Sequence, residues 1–146
     1  MNYNQDPNQI NDKGHLEIDG LDAVELANQY GTPLLIYNLS TVRDNINKYK
    51  RALRKYPYRS GISYASKAFS SLAMYQIIAQ EDVSIDVVSG GELYLAKQAG
   101  FPSNKINFHG NNKSKTELIS ALDYNIGYFI VDNFHELDML NELTRS

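Results

Sequence analysis

A strand–helix repeat of about 22 residues constrains the fold of this chain more than any other sequence feature. Short apolar runs of strand length start near Ile62, Ser84, Ile106 and Gly127. Each run is followed by about ten residues whose apolar positions recur at helical spacing. Because consecutive strand–helix units place their strands side by side in the same direction, the repeat predicts an α/β fold with a parallel sheet.

The helices of this repeat begin in a similar way. Three of them pair a capping residue with a glutamate three positions later: Ser89 with Glu92, Ser114 with Glu117, and Asn133 with Glu136. In such a capping box each side chain satisfies a backbone amide that the helix itself leaves without a partner. The pattern therefore predicts three helix starts.

A uniform repeat of this kind fits either half of an eight-stranded barrel or one wing of a doubly wound sheet. Ligands lie at the carboxyl ends of the strands in both architectures. No Gly-x-Gly-x-x-Gly run follows the first strand, and the turn at residues 89–91 is too short to replace it. The missing dinucleotide fingerprint favours a partial (β/α)8 barrel, with the first four units in residues 58–146.

The preceding residues divide into two parts. Residues 1–14 form a polar, Asn-rich arm, which we expect to be disordered or loosely attached over residues 1–13. Residues 15–57 are expected to contain a strand at 15–19, a short helix closed by Gly31, and a strand at 34–37. A second helix, capped by Ser40 and ended by Pro57, should follow.

Composition excludes several classes of function. A net charge of −3 leaves no basic field for nucleic-acid phosphates. The absence of cysteine excludes disulfides and thiolate metal sites within the chain. No apolar run has the length of a membrane span, and residues 1–14 lack the order of a signal peptide. The sequence therefore predicts a protein of the cytoplasm that binds neither nucleic acid, membrane nor metal.

A lysine closes the first apolar run of the repeat. Lys67 has small neighbours, Ala65 and Ala68, on either side. Because burial of an unpaired ammonium is costly, Lys67 is either the first solvated residue of a loop or a group that the protein uses. A primary amine at the end of a strand, beside small residues, is what a Schiff base to an aldehyde cofactor requires. The residues alone leave both alternatives open.

Polar residues also occur near the ends of the next strands. Asp86 interrupts an apolar strand and needs a partner, either a lysine or arginine or a cofactor. Glu92 is accounted for by its capping box, and His109 by the backbone bonds common where a strand ends before a glycine. Because the carboxyl ends of parallel strands meet at one edge, these residues and Asp132 are candidates for one site.

Four segments together resemble a known enzyme family. They are Tyr-Ala-Ser-Lys-Ala at 64–68, Asp-Val-Val-Ser-Gly-Gly-Glu-Leu at 86–93, Phe-His-Gly-Asn-Asn-Lys at 108–113 and the region around Asp132. Their order and spacing resemble those of the diaminopimelate decarboxylases, pyridoxal-phosphate enzymes of the alanine-racemase-like fold group, over residues 21–140. The first segment is shared with ornithine and arginine decarboxylases, whereas the second and third point to the diaminopimelate branch.

The resemblance implies roles for individual residues. Lys67 would carry pyridoxal 5'-phosphate as a Schiff base and act as the catalytic lysine. Asp86 and Glu92 would lie near the cofactor and that lysine, and His109, with Asn111, would line the pocket. The reaction implied is decarboxylation of meso-2,6-diaminopimelate to L-lysine, the last step of lysine biosynthesis, in a homodimeric enzyme.

The chain departs from this family in its length, since family members have later barrel strands and a β-domain that the N-terminal segment joins. The sequence is therefore expected to be an N-terminal part that is inactive alone. Two alternatives stay open. Another amino-acid decarboxylase of the ornithine or arginine type, or a racemase, would keep Lys67 and Asp86. A truncated module without catalytic function would not bind the cofactor.

Overall fold

The computed structural model of the protein describes residues 8–145. Within this range the backbone falls into two compact units, which divide between residues 52 and 53. None of the helices in the described range combines the length and the hydropathy that a membrane crossing requires. The domain boundary expected between residues 57 and 58 stays a prediction.

The first unit contains a three-stranded antiparallel sheet in the order β1-β2-β3, and two helices. The elements are β1 (Asn8–Ile10), β2 (Leu16–Ile18), β3 (Leu21–Asp22), α1 (Ala23–Tyr30) and α2 (Leu39–Leu53). The strand expected at 15–19 and the helix closed by Gly31, whose φ is 85°, are confirmed. The expected disorder is wrong for residues 8–10, which pair with β2, whereas residues 1–7 lie outside the described residues.

Asp22 connects the sheet of this unit to its first helix. One carboxylate oxygen caps α1 by accepting the amides of Val24 and Glu25 at 2.8 and 3.1 Å. The other oxygen contacts Asn11 Nδ2 at 2.8 Å and His15 Nδ1 at 2.9 Å. Burial raises the pKa of Asp22, but these hydrogen bonds outweigh it and hold the pKa well below its usual range.

Two expectations for this unit are wrong. Residues 34–37 are not a strand, because a strand needs a neighbour and none of the described strands pairs with them. The cap of α2 is Asn38, whose side-chain oxygen accepts the amide of Thr41 at 3.0 Å and the hydroxyl of Ser40 at 2.8 Å. Ser40 already lies inside the first turn of α2, so it cannot occupy the cap position.

The second unit contains the predicted repeat. Its four strands form a parallel sheet in the order β4-β5-β6-β7. The elements are β4 (Ser63–Ala65), α3 (Leu72–Gln80), β5 (Ser84–Val87), α4 (Gly90–Gln98), β6 (Ile106–Phe108), α5 (Lys115–Asp123), β7 (Tyr128–Phe129) and α6 (Phe134–Arg145). Single 3-10 turns occur at Ser66–Ala68 and Ser103–Lys105. The α/β fold with parallel strands is confirmed.

The two faces of the parallel sheet differ in chemistry. Every second residue of the central strands is fully buried and apolar, as seen for Ile85, Val87, Ile106 and Phe108. Buried positions of α3, α4 and α5 complete this core. The alternate face is polar and partly exposed, and Asp86 of β5 is aligned there with Asn107 of β6. The polar face is therefore where a site can form.

Candidate functional site

Lys67 lies on the 3-10 turn that directly follows β4. The lysine is exposed, and within residues 8–145 its ammonium makes no hydrogen bond or ion pair. It is thus the first solvated residue after the strand, and its amine is not engaged by another described side chain. Ala65, two residues before it, is aligned with Asp86 of the neighbouring strand.

The partners of Asp86 are neutral groups on the same face of the sheet. Asp86 Oδ1 accepts hydrogen bonds from the Ser63 hydroxyl and, at 2.9 Å, from Asn107 Nδ2. His109 Nε2 lies 3.7 Å from the same oxygen. Among residues 8–145 these neutral groups satisfy Asp86 and no lysine or arginine does, while the expected contact of Asp86 with the cofactor stays a prediction. Sequence reasoning missed Ser63 and Asn107, although their alternation with the buried strand residues places both on this face.

The Glu92 carboxylate contacts different groups from those that the predicted capping box implies. Ser89 does cap α4 by accepting the amide of Glu92 at 3.2 Å. The carboxylate does not return to Ser89; its Oε2 accepts the amide of Val88 at 2.8 Å and lies 2.6 Å from the Ser66 hydroxyl. Its Oε1 lies 3.3 Å from the Ser70 hydroxyl. Glu92 therefore contacts Ser66, directly before Lys67, and Ser70, three residues after it.

His109 stands at the end of β6, beside the end of β5. Its amide donates to the carbonyl of Val87 at 2.8 Å, and its side chain is 41% exposed. The structure therefore brings together Asp86 and His109, and separately Glu92 and the Lys67 turn. Asp132 is exposed, and its amide lies 3.4 Å from Glu136 Oε2.

Asn111 lines a different feature, a cleft of about 220 Å³ at the starts of α5 and α6. Below it lies a buried ion pair that sequence reasoning missed. Lys113 Nζ lies 2.7 Å from Glu136 Oε1, and the two side chains are 1% and 3% exposed. The same ammonium donates to the carbonyls of Gly110 at 2.7 Å and Ile130 at 3.0 Å. Because the contact with Glu136 falls outside hydrogen-bond alignment, its attraction is mainly Coulombic.

The third glutamate, Glu117, forms the complete capping box that its sequence predicts. Its Oε2 accepts the amide of Ser114 at 2.8 Å, and its Oε1 accepts the amide of Gly90 at 2.7 Å. Burial raises the pKa of Glu117, but the hydrogen bonds from Ser114 and Gly90 and the nearby charge of Lys113 lower it further, so the net shift is downward. Glu117 thereby joins the starts of α4 and α5.

Comparison with known proteins places this arrangement in a family. Residues 39–146 match the family model described as pyridoxal-dependent decarboxylase, pyridoxal binding domain. The chain is 51% identical to the diaminopimelate decarboxylase of Bacillus methanolicus over 135 residues, which is 92% of this chain and 31% of that protein. It is 50% identical to the Bacillus subtilis enzyme over the same shares. The chain thus spans about a third of the length of these relatives.

Solved structures agree with the sequence comparisons. The crystal structure of diaminopimelate decarboxylase from Methanocaldococcus jannaschii superimposes with a TM-score of 0.85 and 42% identity, covering 94% of this chain and 32% of that one. A structure of the same enzyme in complex with L-lysine gives a TM-score of 0.82. The predicted fold, a partial (β/α)8 barrel, is confirmed. The chain therefore belongs to the pyridoxal-dependent decarboxylase family and carries its pyridoxal-binding domain.

Proposed function

We propose that this chain is the cofactor-binding part of a pyridoxal-phosphate-dependent decarboxylase that converts meso-2,6-diaminopimelate to L-lysine and carbon dioxide. The observation that carries the proposal is the position of Lys67. Its exposed amine stands at the carboxyl end of β4, without a partner among residues 8–145. The choice of substrate is supported by the relatives, which are diaminopimelate decarboxylases at up to 51% identity over 92% of the chain.

The residues present fit pyridoxal phosphate. An amine that is free of ion pairs can condense with an aldehyde, whereas a paired ammonium resists it. Ala65 and Ala68 leave space beside Lys67, and the adjacent sheet face is polar and open. When bound, the cofactor supplies an electron sink for the carbanion that decarboxylation leaves. We propose that Lys67 attaches this cofactor and that Asp86, Glu92 and His109 surround the attachment point.

Reduction with borohydride tests the attachment directly. The 146-residue chain incubated with pyridoxal phosphate is expected to gain the visible absorbance of a Schiff base. The band should disappear on reduction, and peptide mapping should place the label on Lys67. Lys67→Ala should lose the label, while Lys115→Ala, which removes another exposed lysine, should keep it. A label spread over several lysines, or one retained in Lys67→Ala, would overturn the proposal.

The complete reaction is proposed for the whole protein, since the chain spans about 31% of the relatives' length. We expect the 146-residue chain with added cofactor to release no lysine from meso-diaminopimelate. Lysine production by this chain would contradict that expectation. A homodimeric assembly and a location in the cytoplasm are proposed on the resemblance to the family.

A further inference from the structure

We propose that Glu92, Ser66 and Ser70 form a clasp that holds the turn carrying Lys67, so that Glu92 is a positioning residue and does not bind the cofactor. The proposal rests on the role given to Lys67 above and deepens it. Nothing in the sequence pattern assigns a role to Ser66 or Ser70, and the capping box alone would give Glu92 a different partner.

The turn of Lys67 is too short to fix itself. It has three residues, Ser66–Ala68, and is closed by one backbone hydrogen bond, from the amide of Phe69 to the carbonyl of Ser66 at 3.0 Å. Short 3-10 segments have poor hydrogen-bond geometry, and a single turn is marginal without outside contacts. Contacts with neighbouring elements must therefore determine where the Lys67 backbone lies.

Ser66 supplies the first of these contacts. It is completely buried, and its hydroxyl lies 2.6 Å from both the carbonyl of Asp86 and Glu92 Oε2. A hydroxyl has one hydrogen, so it donates to one of these acceptors at a time. The carbonyl of Asp86 belongs to β5 and Glu92 to the first turn of α4, so one bond ties the Lys67 turn to the strand and the other ties it to the helix that follows.

Ser70 closes the clasp on the other side of the lysine. Its hydroxyl lies 2.8 Å from the carbonyl of Ser66 and 3.3 Å from Glu92 Oε1, and its single hydrogen donates to one of these acceptors at a time. The two oxygens of one carboxylate thus reach residues on both sides of Lys67. Fixing the backbone in this way leaves the amine of Lys67 itself without a protein partner among the described residues.

Glu92 is itself anchored. It lies in the first turn of α4, where Ser89 accepts its amide, and its Oε2 accepts the amide of Val88 at 2.8 Å. The clasp is therefore attached to a firm element, and Lys67 is presented beside the carboxyl end of β5.

The rate at which pyridoxal phosphate forms a Schiff base with Lys67 tests the clasp. Glu92→Ala should slow this rate roughly tenfold, since the turn loses the contacts on both sides of the lysine. Glu92→Gln should restore most of the rate. Its amide oxygen can accept the Val88 and Ser66 bonds, and its amide hydrogens can donate to Ser70. Ser70→Ala is a milder variant, which should slow the reaction by a smaller factor.

The rates are measured by stopped-flow absorbance, with borohydride mapping to confirm Lys67 as the labelled residue. Ser114→Ala serves as the matched control, because it removes a helix cap at α5 and should lower stability without changing the rate. If Glu92→Gln is as slow as Glu92→Ala, the negative charge itself acts on the cofactor and the clasp is wrong. An unchanged rate in Glu92→Ala also overturns it. If the unmodified chain forms no adduct at Lys67, the proposed function is overturned and the clasp with it, whereas the two outcomes above overturn the clasp alone.

Discussion

Glu92 and Glu136 occupy equivalent places in two strand–helix units and have different surroundings. Each lies three residues after the capping residue of its helix, and each carboxylate accepts the amide of the residue before that cap. These amides are Val88 at 2.8 Å and Asp132 at 3.4 Å. Glu136 also pairs with the buried ammonium of Lys113, whereas Glu92 contacts neutral hydroxyls beside Lys67.

Because of these different surroundings, we expect Glu136 mainly to support the stability of the fold and Glu92 mainly to position the turn of Lys67. A buried carboxylate that faces a buried ammonium is strongly coupled to the fold, since removing either charge leaves the other without compensation. A carboxylate held by hydroxyls and an amide contributes less to stability, because each such hydrogen bond adds about 1 kcal/mol net. The same helix-start pattern therefore supports the core in the α6 unit, and in the α4 unit it contacts the turn that carries Lys67.

Breaking the buried pair should have the largest effect. Lys113→Ala is expected to lower the free energy of unfolding by about 3–5 kcal/mol, because it leaves the Glu136 carboxylate buried and unpaired. Urea unfolding followed by circular dichroism measures the change. Lys115→Ala, two residues further on and exposed, should change stability by less than about 0.5 kcal/mol.

The double substitution Lys113→Met with Glu136→Leu tests whether the loss in Lys113→Ala comes from the unpaired charge of Glu136. Apolar residues of similar volume often replace a buried ion pair at little cost. The double variant should therefore recover the part of the loss that comes from the unpaired carboxylate, but not the part that comes from the carbonyls of Gly110 and Ile130, which lose their donor in both variants. If Lys113→Ala costs no more than Lys115→Ala, the ion pair does not support the fold and the contrast with Glu92 disappears.

Substitution at Glu92 should have an intermediate effect on stability. Glu92→Ala is expected to cost about 1–2 kcal/mol, since it removes hydrogen bonds without leaving a buried charge unpaired. Glu136→Ala should cost clearly more in the same urea titration. Equal losses for the two variants would show that the hydroxyls of Ser66 and Ser70 hold Glu92 as firmly as Lys113 holds Glu136.

Local sequence signals predicted much of this structure. The spacing of apolar residues and the helix caps both depend only on neighbours within one turn or one strand. The repeat and the starts of α4, α5 and α6 could therefore be predicted from the sequence. The side-chain partners of Glu92 and Asp86 could not, because they lie on other elements and more than twenty residues away. Residues 34–37 also depend on a partner elsewhere in the chain. Their apolar composition suits a strand, but a strand exists only where a neighbour pairs with it.

Glu117 should show the smallest effect and the clearest dependence on pH. Because its pKa is below the usual value, its hydrogen bonds contribute stability that is present above the unfolded-state pKa of about 4.3 and is lost as the pH falls through the lower folded-state pKa. Glu117→Gln should therefore be slightly less stable than the unmodified chain near neutral pH, and this difference should shrink in acid. Urea midpoints measured from neutral to acidic pH follow the change. A difference that stays constant over this range would mean that the charge of Glu117 adds nothing, so that its neutral capping bonds alone join α4 and α5.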